Sequence, residues 1–126
     1  APNPRKLQPV TVALVESPEG FLLQQRPEKG LLAGLWQPAL WENEALSAEE
    51  TLARLRAMGL DTGSAASEAL PAAKHIFSHI EWHMNGIQLR VPSQKAPAGF
   101  VWASREALQA EYTLPGAFKA YRRRMM

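Results

Sequence analysis

The sequence predicts an α+β fold, a mixed β-sheet sandwiched by helices, and three observations carry that expectation. Two stretches alternate with period two and are rich in β-branched residues, one at Val10 to Val15 and one at Ile80 to Val91. Between them, Ser47 to Gly59 carries a complete helix signature from cap to stop. No strand and helix alternate regularly, and no repeat or low-complexity tract interrupts the chain, which argues against a doubly wound parallel fold.

The elements follow in order. Pro2 and Pro4, with Pro9 after Arg5-Lys6, read as the end of an interdomain linker over residues 1–8, which leaves 9–126 as one domain. Pro9 to Glu16 is a mostly buried strand. Ser17-Pro18-Glu19-Gly20 is turn chemistry, and Phe21 to Arg26 returns as the second arm of a hairpin. Pro27 to Gly30 ends that arm, and Leu31 to Pro38 is a packed apolar loop leading to a short strand through Trp41. Trp36 and Trp41 are expected in the core or at its rim.

Ser47 and Glu50 form a capping box, Leu52, Leu55 and Met58 recur at helical spacing, and Gly59 stops the helix. Residues 60–70 read as a loop with room for a strand stub, and Ala72 to Phe77 as extended chain. The apolar phase then runs Ile80, Trp82, Met84 and slips by one to Ile87, Leu89, Val91. Asn85-Gly86 lies at the slip, either as a hairpin turn or as a bulge in one long strand. After a loop over residues 92–99, Phe100 to Ala103 is a last strand, Ser104 caps a helix through Ala110, and Pro115 opens a final helix as its first residue.

Composition sets outer bounds. The chain has 126 residues, 46% of them hydrophobic, enough for a single core. It has no cysteine, so it holds no disulfide, thiolate zinc site or cysteine-ligated iron–sulfur cluster. No apolar run approaches membrane-spanning length, so the chain is expected to be soluble. A net charge of +2 permits a polyanionic partner without requiring one. Lys119, Arg122, Arg123 and Arg124 cluster at the end, where a helix dipole alone accounts for basic residues.

His75, His79 and His83 have metal-like spacing only on a helix; on a strand and loop they separate, no fourth ligand is evident, and no metal is expected. On a strand, His79, Glu81 and His83 share the face opposite Ile80, Trp82 and Met84.

The run Leu22 to Trp36, the segment His75-x-Phe77-Ser78-His79 and the segment Tyr112-x-Leu114-Pro115-x-Ala117-Phe118, in that order, resemble the C-terminal Nudix-like domain of MutY-family adenine DNA glycosylases. The resemblance covers nearly the whole chain. It implies one long strand after the Phe-Ser-His segment, which favours the bulge at Gly86. It further implies a two-domain parent that removes adenine mispaired with 8-oxoguanine in base excision repair. The catalytic carboxylates and an iron–sulfur cluster belong to an N-terminal domain not contained in this chain, and this part reads the oxidised base without catalysis or a cofactor of its own. The implied partners are duplex DNA with an 8-oxoguanine:adenine pair and the catalytic domain of the same chain. The implied setting is intracellular, cytoplasm or nucleoid in a bacterium, and the protein is expected to be a monomer.

8-Oxoguanine differs from guanine by a carbonyl at C8 and a proton on N7, and a serine hydroxyl matches such an edge as both donor and acceptor. On the resemblance, Ser78 is the first choice for contact, His79 the second, Phe77 the anchor of the loop and His75 its support. Lys29, Arg26, Lys74 and the terminal arginines are weaker candidates for phosphate contacts.

Two other readings stand beside this one. The fold family includes hydrolases of nucleoside diphosphate derivatives, whose helix needs Arg-Glu-x-x-Glu-Glu-x-Gly to hold magnesium. With Gly59 as anchor, Leu52-Ala53 and Arg56-Ala57 occupy those positions, and the metal carboxylates are missing. A protein-interaction module is the other, with Leu31, Leu32 and Trp41 as its apolar surface.

Overall fold

A computed structural model describes residues 4–126. Seven strands form one sheet: β1 (Lys6–Ser17), β2 (Gly20–Gln25), β3 (Trp36–Glu42), β4 (Glu68–Ala69), β5 (Ala73–Ile76), β6 (Ile80–Arg90) and β7 (Phe100–Ala103). Helix α1 is Ala48–Ala57, α2 is Arg105–Ala110, and the chain closes in a 3₁₀ helix, Gly116–Met125. The order across the sheet is β4, β6, β1, β3, β2, β7, with β5 also on β6. β1 and β6 are parallel and every other pair is antiparallel, so the sheet is mixed as expected.

Period two in β1 buries both of its faces. Val10, Val12 and Leu14 enter one core with Phe21, Leu23, Trp82, Met84 and the apolar side of the 3₁₀ helix, Phe118, Tyr121 and Met125. Ala13 and Val15 enter the second core with Leu22, Ile87, Leu89 and Leu55 of α1. Helix α1 forms where predicted. The Ser47 hydroxyl accepts from the Glu50 amide at 3.1 Å, and the Glu50 carboxylate accepts from the Ser47 amide at 3.0 Å. Leu55 is its fully buried anchor, worth about 1.5–3 kcal/mol.

Several expectations are corrected. β1 starts at Lys6, so residues 6–8 belong to the sheet and not to a linker, while Ala1 to Asn3 lie outside the described residues. Pro9 fits because β3 joins only from Val10 onward, at Val10–Glu42, which leaves β1 an open side for a residue without an N–H. The β1–β2 hairpin is only two pairs deep, Glu16–Phe21 and Ser17–Gly20, because β3 enters between its arms. Three strands that are each antiparallel to the other two cannot lie flat, so the sheet bends at this corner. Gly20, at φ 129°, packs against the Ala103 carbonyl there, where a Cβ would not fit.

The bulge is on the other strand. β6 runs against β1 in unbroken register from Lys6–Ile80 to Glu16–Arg90. Its antiparallel partner carries the extra residue: four steps from Ala69 to Ala73 oppose three from Ile87 to Met84. The slip in apolar phase arises because β6 passes from the first core, at Trp82 and Met84, to the second, at Ile87 and Leu89. Gly86 sits where β6 closes on β1, and a Cβ there would fall on the Val12 carbonyl. The final helix is 3₁₀, with non-helical angles at Phe118, and Pro115 is its N-cap, not its first residue.

Candidate functional site

The segment singled out by the sequence becomes the β5–β6 hairpin. The Phe77 amide donates to the Ile80 carbonyl at 2.7 Å, which makes Ser78 and His79 the two corner residues, both exposed. Phe77 is half-buried against the first core. Its ring meets the indole of Trp82 edge-on at 5.1 Å and the imidazole of His75 at 4.7 Å. Such aromatic contacts each contribute about 0.5–1.5 kcal/mol beyond burial. A polar tip therefore stands on an aromatic base.

Trp82 is the centre of that base. Fully buried, it donates from Nε1 to Gln8 Oε1 at 2.6 Å and packs against Phe118 at 6.2 Å. The guanidinium of Arg26 covers its ring at 5.4 Å. Arg26 is itself buried, donating to the Leu31 carbonyl and to Gln37, both at 2.8 Å, and pairing with Glu42 at 2.6 Å. Arg26 is thereby removed from the phosphate-contact candidates, because it is buried and its Nε and Nη1 tie the 27–35 loop to β3.

The other candidates divide. His75 adjoins Phe77, whereas Lys29 is exposed on the separate loop after β2. Lys74 pairs with His83 across the strands and so shares the face of β6 opposite Trp82. There the His83 imidazole, 2.7 Å from Glu81, holds that carboxyl below the usual carboxylate range, with Lys74 and Arg5 adding to the effect. Among the described residues no group of three or more His, Cys, Asp or Glu side chains could hold a metal. No helix among them is long and apolar enough to cross a membrane.

Helix α1 offers the contrasting surface. Arg54 forms two bonds to Glu44, at 2.9 and 2.6 Å, which hold the Glu44 carboxyl below its usual range. Glu50 is engaged in the cap, and Arg56 donates to Thr62 at 3.0 Å. Sequence reasoning missed Gln8, which it placed in the linker ahead of the strand. It also missed the role of Arg26, which a bare sequence does not distinguish from a surface cation.

Residues 11–124 match the NUDIX domain. The chain belongs to that family. Among solved structures, the C-terminal domain of mouse MUTYH, determined in complex with human PCNA, is similar to this NUDIX domain at 26% identity and a TM-score of 0.68, over 91% of this chain and 85% of that one. The MutT protein of Methanosarcina mazei Go1 is 20% identical with a TM-score of 0.70, over 98% and 96% of the two chains. The NUDIX domain of Shewanella oneidensis NrtR, complexed with ADP ribose, is 17% identical with a TM-score of 0.60, over 98% and 90%. These last two likenesses show the fold alone. No curated protein sequence matches the chain.

Proposed function

We propose that this NUDIX domain recognises 8-oxoguanine opposite adenine in duplex DNA, as the reading domain of an adenine DNA glycosylase. The observation that carries the reading is the exposed Ser78–His79 corner held on Phe77 and Trp82. A hydroxyl carried on the backbone-bonded corner of a short hairpin can both donate and accept at a base edge. The motifs around Leu22 to Trp36 and His75 to His79, and the likeness to the mouse MUTYH domain, support the same reading.

Joined to an adenine glycosylase catalytic domain, a Ser78→Ala, His79→Ala variant should lose about 1–3 kcal/mol of discrimination between 8-oxoguanine:adenine and guanine:adenine duplexes, the scale of one good base contact. Excision rates on the two duplexes measure it. Unchanged discrimination removes the corner from the account.

The NUDIX match and the MutT-like fold favour a second reading, hydrolysis of an oxidised or other nucleoside di- or triphosphate. That chemistry needs carboxylates to hold magnesium, and Ala53, Arg56 and Ala57 do not provide them. Magnesium should therefore give no turnover of nucleoside triphosphates. Turnover that a Glu49→Gln, Glu50→Gln variant abolishes would establish the hydrolase instead.

A further inference from the structure

Beside the hairpin, β5 and the 3₁₀ helix enclose an open groove of about 420 Å³. One wall is Ala73, Lys74 and His75; the other includes Gly116, Lys119, Ala120 and Arg123. Among the described residues no carboxylate lines it. Its small residues leave room for a ligand backbone to approach closely, and the two cations on its helix side, Lys119 and Arg123, are not engaged elsewhere among the described residues. Arg5, Arg26, Arg54, Arg90 and Arg105 pair with carboxylates. Of the other terminal arginines, Arg122 donates to the Leu114 carbonyl and Arg124 to Gln88. Lys119 and Arg123, both exposed, form no ion pair or side-chain hydrogen bond among the described residues.

We infer that this groove is a second binding site, for the sugar-phosphate backbone of a duplex, with Lys119 and Arg123 as its cations and His75 as the wall shared with the hairpin. The site extends the proposed lesion reading and rests on it only for register. Four residues of extended chain separate Lys74 from Ser78, about 13 Å. At a rise of about 3.4 Å per nucleotide, that wall of the groove lies several nucleotides from the corner along one duplex. The groove carries no sequence information and anchors the reader on any duplex.

Equilibrium binding of the 126-residue chain to two duplexes, one with and one without 8-oxoguanine opposite adenine, tests this across 50 to 200 mM salt. Two phosphate contacts contribute about 1.8 to the slope of log K against log salt. A Lys119→Ala, Arg123→Ala variant should bind both duplexes more weakly. Over that salt range the affinity of the unaltered chain should fall about tenfold more than that of the variant. An Arg90→Ala, Lys95→Ala pair removes the same charge at the far end of β6 and should leave the slope nearly intact. The Ser78→Ala, His79→Ala variant should alter the preference between duplexes without altering the slope. Equal preference in every variant, with the groove variant still losing its slope, defeats the lesion reading and spares the groove. An unchanged slope, an equal effect of the control pair, or retention on anionic vesicles with no duplex binding overturns the groove.

Discussion

The hairpin at Phe77 to Ile80 and the helix α1 use polar side chains in opposite ways. In α1 they serve the fold: Ser47 and Glu50 cap each other, Glu44 clasps Arg54, and Arg56 is bound to Thr62. In the hairpin the fold is secured by aromatic rings and by two main-chain bonds, Phe77 to Ile80 and Lys6 to His79, and the Ser78 and His79 side chains remain exposed. The polar side chains of α1 are largely engaged in local bonds, whereas those of the hairpin corner face outward. Helix and hairpin can therefore be damaged separately, and Trp82 is where the hairpin meets the core.

The largest expected effect is at that joint. Trp82→Ala should cost about 3–5 kcal/mol in urea denaturation, because it removes a buried indole together with the seat of Phe77. A loss near zero would mean that the hairpin is not supported from the core.

Next is an alkaline transition on the hairpin side. Tyr121, whose hydroxyl donates to the Pro71 carbonyl at 3.1 Å, has its pKa pushed by burial to about 12. A raised folded pKa gives stability that is complete below about pH 10 and is lost as pH rises towards the folded value. Urea midpoints at pH 9 and 12 should separate, and Tyr121→Phe should narrow the gap.

Ser47→Ala should cost about 1 kcal/mol of stability through the lost cap and leave lesion discrimination unchanged. A change in discrimination would break the division between the two regions. The smallest effect belongs to Glu44. Its pKa is depressed by Arg54, so its contribution is present above the ordinary value of 4.5 and is lost as pH falls below it. Glu44→Gln should flatten that part of the acid limb, most visibly at low salt.

Legibility followed the range of the interactions. The α1 cap and the Ser104 cap depend on neighbours within a few residues and formed where the pattern placed them, while β1 extends beyond its alternating stretch to Lys6. The bulge was misplaced because a phase slip in β6 has two causes, an inserted residue or a change of covered face, and only the partner strand decides between them. Arg26 stands among the phosphate-contact candidates in the sequence because its partners, Gln37 and Glu42, arrive from a strand eleven or more residues away. At the site, the corner residues were legible as a motif. The groove was not, since Lys119 and Arg123 meet His75 only through the packing of the 3₁₀ helix beside β5.

The seat of Phe77 also shapes the heat exchanged in binding. Its ring rests against Trp82 and His75, so on the proposed reading a base arriving at Ser78 and His79 has little new apolar surface to bury. Calorimetry at that corner should accordingly record a small heat-capacity change with enthalpy from hydrogen bonding, the signature of a rigid template and not of a loop that folds around its ligand.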